Sequence, residues 1–218
     1  MSELRQDWFI DRDCKVWQDP DHFCFNTDTV LLAKFMEIRC NDTVIDIGTN
    51  NGALLMYADR FGPKKMVGIE IQPEAAKIAR LNLENAKSAS EVICAPVQTV
   101  EKLRANVVIS NPPFFTEKAS CVDAKDDLRQ AGRIEKNLKL DELIEAADRL
   151  LEDKGRFYMV HRPDRIQEIL YELKRHGFGL KRMQVVYDRR THTAKSLLVE
   201  AVKNGGGFCT IMEPGEIG

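Results

Sequence analysis

The chain has 218 residues, of which 44% are hydrophobic and 30% charged, and it carries a net charge of −2. This length suits one α/β domain with its own core. The composition is that of a soluble globular protein, and with no secretory apolar region and no long apolar stretch it argues against export and against a membrane span.

In chain order, residues 1–40 precede the core, and Trp8, Phe9 and Trp17 are expected to be buried or to contact a partner. Thr27 or Asp28 reads as the N-cap of a helix running to about Arg39. Thr43-Val44-Ile45-Asp46-Ile47 is short, apolar and β-branched, which predicts a strand. It runs into Gly48-Thr49-Asn50-Asn51-Gly52 and then a helical pattern from Ala53 to Arg60. Glycines in a strand-to-helix loop let the backbone approach a ligand closely. Met66–Glu70 is a second strand that ends in a carboxylate, and an acid there can accept both ribose hydroxyls of an adenosine-containing cofactor. From Asp46 the loop reads D-x-G-x-x-x-G rather than G-x-G-x-x-G, which suits a cofactor without a pyrophosphate. Taken singly, Gly48 and Gly52 also fit a plain tight turn, and Glu70 a solvated strand end.

Pro73 opens a helix at its first turn, with Ala75, Ala79, Leu83 and Ala86 along one face. Glu91–Ala95 reads as the third strand and Asn106–Ser110 as the fourth. The fourth strand delivers Asn111-Pro112-Pro113-Phe114. A Pro-rich turn is one reading of this tetrapeptide. The other is the methylation of a planar, poorly nucleophilic amino group. Its nitrogen must pyramidalise to attack, and acceptors aimed at its hydrogens assist. The Asn111 side-chain oxygen and the Pro112 carbonyl can supply them, the two prolines hold the carbonyls in place, and Phe114 can stack on a flat substrate. Residues 115–139 are polar and charged, a candidate lid. Leu143, Ile144, Ala147, Leu150 and Leu151 form a helical stripe, Gly155–His161 a fifth strand, and Ile166, Ile169, Leu170 and Leu173 a helix ending near Gly177. Lys181–Tyr187 and Lys195–Lys203 read as a closing antiparallel pair, and Gly205-Gly206-Gly207 as the start of a short, loose tail. No linker or repeat interrupts the pattern, so residues 1–218 are expected to form one domain, with 1–40 an N-terminal extension packing on its core.

The six cysteines, at positions 14, 24, 40, 94, 121 and 209, include no C-x-x-C pair, and the four histidines are scattered. Neither a disulfide framework nor a metal site is expected. The charge is unevenly spread. Residues 154–203 hold twelve Lys/Arg against five Asp/Glu, whereas residues 1–153 hold twenty against twenty-seven. Such asymmetry points to a polyanion, with Arg162, Arg165, Arg189 and Arg190 as candidate phosphate contacts; ordinary solvated surface is the alternative.

Asp46, Gly48, Gly52, Glu70 and Asn111-Pro112-Pro113-Phe114, in that order, resemble class I S-adenosylmethionine-dependent methyltransferases of the amino-methylating kind. With Phe23–Leu32 and Gly155–Pro163 included, the chain looks most like the bacterial tRNA (adenine-N6)-methyltransferase family that modifies a valine tRNA. The resemblance implies a Rossmann-like, doubly wound α/β fold: a seven-stranded, mostly parallel sheet with an antiparallel last strand. It implies S-adenosylmethionine as cofactor, held by Asp46, Gly48, Thr49, Asn50, Gly52, Glu70, Ile71, Val97 and Asn111, and it points to Asp28 at the mouth of the cofactor pocket as the alternative to a helix cap. It also implies RNA, specifically tRNA, as partner, a cytoplasmic location, no metal, no membrane, and a monomer or weak homodimer. Two departures stand out: Asn50 occupies the place of a third loop glycine, and Ala95-Pro96-Val97 lacks the acid that the family tends to carry after strand three. Alternative readings are a guanine-N2 methyltransferase of ribosomal RNA, a protein glutamine-N5 methyltransferase, a DNA adenine methyltransferase, and a non-catalytic RNA-binding module with a degenerate cofactor site.

Overall fold

The structure is a computed structural model that describes residues 4–20, 24–112 and 138–218. Among these, β1 (Arg5–Trp8) and β2 (Lys15–Gln18) form a two-stranded hairpin. It is followed by α1 (Thr27–Phe35), β3 (Thr43–Ile47), α2 (Ala53–Ala58), β4 (Lys65–Glu70), α3 (Pro73–Leu83), β5 (Ala89–Cys94) and β6 (Ala105–Ser110). After the undescribed stretch come α4 (Leu140–Leu150), β7 (Leu151–His161), α5 (Ile166–Arg175), β8 (Phe178–Asp188) and β9 (Thr193–Lys203). Two short strands, β10 (Thr210–Ile211) and β11 (Gly215–Ile217), close the chain.

The main sheet runs β5-β4-β3-β6-β7-β9-β8, with β3 to β7 mutually parallel and β9 antiparallel to both of its neighbours. These are the seven strands expected. The described chain adds two more, because β10 and β11 both pair in parallel with β8. The tail after Gly205 is therefore docked along the sheet edge rather than loose. Backbone groups of an exposed edge seek partners, and β8 finds them in its own C-terminus.

Strand periodicity explains why both faces are covered. Val44 packs into one apolar layer with Leu32, Phe35, Leu55 and Leu83, while its neighbour Ile45 packs into the other with Leu143, Ile144, Ile169 and Leu173. Successive residues of a strand point to opposite faces, so a parallel strand buried on both sides must be apolar throughout. The β1–β2 hairpin joins the first layer through Phe9, Cys14 and Val16. Trp17 exchanges hydrogen bonds with Asn82 of α3 through its backbone N–H (2.8 Å) and carbonyl (3.0 Å). Of the aromatic residues there, Phe9 is fully buried but Trp8 is 52% exposed, with the Lys15 ammonium over its ring.

Asn26, not Thr27 or Asp28, is the N-cap of α1. Its side-chain oxygen accepts the Thr29 N–H at 3.0 Å, and the Thr29 hydroxyl accepts the Asn26 N–H at 3.2 Å. A capping box is satisfied when the cap sits three residues before its partner, and Asn26–Thr29 has that spacing. The helix also ends at Phe35, four residues short of Arg39.

The strand order reverses between β3 and β6. Parallel α/β sheets leave a crevice at the carboxyl ends of the strands at such a switch point, because the helices leaving adjacent strands pass to opposite faces.

Candidate active site

A pocket opens at this switch point. It takes residues from four strand ends and from α1: Ile47 and Gly48 after β3, Ile69 and Glu70 of β4, Ala95 after β5, Asn111 after β6, and Thr29. Thr49, Asn50, Ile71 and Val97 also line it. The sequence-predicted cofactor residues are thus brought together, with two qualifications. Gly52 caps α2 from behind the loop, and Asp46 lies buried beneath it.

The loop between β3 and α2 is built on left-handed backbone. Gly48, Asn50 and Gly52 have φ of 72°, 50° and 79°. Asparagine is among the few non-glycine residues that visit this region readily, so Asn50 substitutes for the missing third glycine without breaking the turn. A Cβ on Gly48 would meet no atom within 4 Å, so the chain is bare where it faces the pocket. The Gly48 and Thr49 N–H groups both donate to the Ile69 carbonyl, at 2.9 and 3.1 Å, which ties the loop to the end of β4.

Two acids sit under and beside this loop. Asp46 is 1% exposed and accepts the Thr49 hydroxyl at 2.7 Å through Oδ2. Its Oδ1 is the one buried side-chain oxygen or nitrogen among the described residues that has no partner. Burial pushes its pKa up to about 7; the Thr49 hydrogen bond offsets this in part, and the nearby Glu70 adds to it. Glu70 accepts the Asn50 N–H at 2.8 Å and the Gln72 N–H at 2.9 Å, and burial raises its pKa although these backbone donors pull it down. Two buried carboxyl groups that form no ion pair among the described residues make a site short of positive charge. A ligand that brings an ammonium and hydroxyl donors would complete both.

Gly68 is a residue that sequence reading overlooked. A Cβ there would lie 2.7 Å from Thr49 Cγ2, closer than side chains pack. Glycine in the middle of β4 is what lets Thr49 reach Asp46. Gly68→Ala is expected to displace Thr49 and to weaken cofactor affinity by about tenfold, the worth of one buried hydrogen bond to a charged group. Calorimetric titration of S-adenosylmethionine into the variant checks this, and an unchanged affinity would mean that the loop does not depend on the Thr49–Asp46 bond.

The substrate motif is described only in part. Asn111 and Pro112 follow β6 directly; Pro113 and Phe114 lie outside the described residues, as do residues 115–137 of the candidate lid. The Asn111 Nδ2 donates to the Thr29 hydroxyl at 2.9 Å. Asp28 does not line the pocket but accepts a hydrogen bond from Ser196 of β9, which fastens the first turn of α1 to the sheet.

The four candidate phosphate contacts share the edge on which Asn111 sits. Arg162 and Arg165 follow the end of β7. His161 pairs with Leu197, and the β8–β9 hairpin continues to the Asp188–Thr193 pair, four residues further. Its tip, with Arg189 and Arg190, therefore stands roughly 13 Å beyond the end of β7. Arg165 pairs with Glu168 and Arg189 with Glu216, whereas Arg190 makes no ion pair among the described residues. Other cations of the basic segment are committed elsewhere: Arg156 to Asp42, Arg182 to Glu37 and Glu200, and Lys203 to Asp148.

Comparison with known proteins places this geometry. The methyltransferase small domain matches residues 13–176. The chain belongs to that family. It is 30% identical over 164 residues to a Bacteroides fragilis protein named tRNA1(Val) (adenine(37)-N6)-methyltransferase, covering 72% of this chain and 68% of the relative. A Dyadobacter fermentans protein of the same name is 28% identical over 193 residues, covering 86% and 79%. Among solved structures, Methanocaldococcus jannaschii Trm5 in complex with adenosine superposes with a TM-score of 0.67 at 18% identity, over 93% of this chain and 57% of that one, which shows a shared fold. In this chain the loop after β3 and the residues after β6 form the pocket just described. Phe25, Thr29, Gln72, Gln98 and Leu138 also line it and were not singled out from sequence. Phe25 and Thr29 fall within the Phe23–Leu32 stretch and the others in segments without a motif, and only the folded chain brings them to the switch point.

Proposed function

We propose that this chain transfers a methyl group from S-adenosylmethionine to the exocyclic amine of an adenine in tRNA. The observation that carries the reading is the convergence of the acidic, glycine-lined pocket and Asn111-Pro112 at one switch point. The names of the Bacteroides and Dyadobacter relatives favour adenine-N6 and tRNA over guanine, protein glutamine or DNA.

In this reading, Asp46 faces the ammonium of the cofactor's methionine part, directly or through the loop it holds. Glu70 keeps acceptor capacity for the ribose hydroxyls beyond its two backbone donors. Ile71 and Val97 would flank the adenine, and with Ala95-Pro96-Val97 in place of an acid its amine would be left to backbone groups. When bound, S-adenosylmethionine supplies an activated methyl group on a sulfonium. Asn111 Oδ1 and the Pro112 carbonyl accept the hydrogens of the target amine and turn its lone pair towards the pocket; Phe114 stacks on the base. No strong general base is required, because the amine proton becomes acidic as its nitrogen gains a fourth bond. Orientation and electrostatic stabilisation carry the rate. An adenine in a loop is the favoured target, since unstacking it costs less than opening a helix.

We read the chain as a single domain working in the cytoplasm as a monomer or weak homodimer. The basic edge is read as the RNA surface, because Arg162, Arg165, Arg189 and Arg190 lie on the strand-end edge that also carries Asn111. Arg189→Glu with Arg190→Glu is expected to weaken tRNA binding and to lower the slope of log affinity against log salt by about two, one for each lost phosphate contact. Filter binding across a salt series measures this; an unchanged slope removes both residues from the RNA surface.

The direct test is transfer from methyl-labelled S-adenosylmethionine to bulk unmodified tRNA, followed by nucleoside analysis. Label in N6-methyladenosine supports the reading. Cofactor binding without nucleoside label would redirect it to ribosomal RNA or protein glutamine. RNA binding with no cofactor binding would mean a non-catalytic module.

A further inference from the structure

We infer that Thr29 is the positioning residue that decides which end of the Asn111 carboxamide faces the substrate. This rests on the reading of Asn111 as acceptor for the target amine. A primary amide has a donor end and an acceptor end of nearly equal size, so packing alone does not choose between them. With the NH2 end turned to the pocket, two donors would face the two hydrogens of the substrate, and Asn111 would repel what it should hold.

The Thr29 hydroxyl makes the choice because its capacity is full. It has one proton and two lone pairs. The proton goes to Asn26 Oδ1 at 3.1 Å. That oxygen is held as an acceptor because it also takes the Thr29 N–H at 3.0 Å. One lone pair takes the Asn26 N–H at 3.2 Å. The other takes Asn111 Nδ2 at 2.9 Å. With its proton committed to the helix cap, the hydroxyl can meet only the donor end of Asn111. Oδ1 is left for the substrate, and it accepts no hydrogen bond among the described residues. The cap itself is anchored, since Asp28 in the same turn is fastened to Ser196 of β9. Thr29 is buried, which excludes the water that would otherwise blur the preference. A helix cap thus serves twice: it ends α1, and it sets the polarity of the acceptor 82 residues away in sequence.

The test compares wild type with Thr29→Val and Thr29→Ser in single-turnover methylation of bulk unmodified tRNA, with cofactor affinity and melting temperature measured on each. Valine keeps the shape and the backbone N–H bond to Asn26 but removes the hydroxyl. It is expected to slow transfer by about tenfold, the value of a biased hydrogen bond at the reacting group, with cofactor affinity unchanged. Serine, which restores the hydroxyl without the methyl, is expected to recover most of the rate. If valine does not fold, Thr29→Ala carries the same expectation. A valine variant at wild-type rate overturns the inference. So does a serine variant as slow as valine, or a loss of rate that only follows a fall in cofactor affinity. A wild-type enzyme that methylates no amine would instead sink the functional reading on which the inference stands.

Discussion

Replacing Asn111 by alanine is expected to abolish methyl transfer, by about a hundredfold or more in kcat, while S-adenosylmethionine still binds. The split follows from position. The carboxamide follows β6 and its Nδ2 meets Thr29, whereas the Asp46 and Glu70 carboxyl groups bond to the loop after β3. The Asp46 and Glu70 anchors are therefore intact in the variant, and what disappears is the acceptor that lets a delocalised amine pyramidalise. Such an interaction grows as the nitrogen changes shape, so it belongs to the transition state more than to the ground state, and its loss falls on kcat rather than on KM. Single-turnover rates measured beside calorimetric cofactor affinity provide the check. Wild-type turnover by Asn111→Ala would refute the mechanism. Loss of rate together with loss of cofactor affinity would reassign Asn111 to holding the cofactor.

The second large effect concerns pH and Asp46. This carboxyl has a pKa of about 7, raised from 3.8 chiefly by burial. If its ionised form receives the cofactor ammonium, affinity should fall by about tenfold for each pH unit below about 7 and level off above it. The stability of the empty protein should run the opposite way. Between pH 3.8 and about 7 the folded chain holds a proton that the unfolded chain releases. The contribution of Asp46 to stability is therefore full below the lower value and is lost as pH rises through the upper one, on the order of a few kcal/mol. Glu70, also raised by burial, acts in the same direction, so a variant is needed to isolate Asp46. Asp46→Asn keeps an acceptor for Thr49 but does not titrate. It should show weaker cofactor binding at pH 8, little pH dependence of that binding, and a flatter stability profile from pH 5 to 8 in urea titrations. A variant whose two profiles overlay those of the wild type would show that another group titrates.

Much of the site was legible because it is local. Asp46, Gly48, Asn50 and Gly52 fall within seven residues, and the left-handed turns they make depend on their own backbone preferences. Glu70 and Asn111 end strands that are apolar enough to be recognised, and strand ends in a parallel sheet share one edge whatever the details of packing. What escaped sequence reading depends on contacts between distant segments. Gly68 reads as one small residue in a strand until Thr49 is seen against it. The cap of α1 was misplaced by one or two residues because Asn26, Thr27 and Asp28 are all good caps, and the bond to Thr29 selects among them. The tail looked loose because a two-residue and a three-residue strand carry no period of their own; the open edge of β8 gives them one.

The sequence by itself determined the order of the strands and helices from β3 to β9, the left-handed loop after β3, and the presence of an acid at the end of β4 and an Asn-Pro pair after β6, since each is set by periodicity or by the φ preference of neighbouring residues. The tertiary structure alone decided the rest. It left Asp46 Oδ1 without a partner, turned the Asn111 amide by way of Thr29, and set the Arg189–Arg190 tip beyond the strand ends on the same edge as Asn111. These are consequences of packing and of hydrogen bonds across long separations, where the energy of a polar group depends on what the fold places beside it.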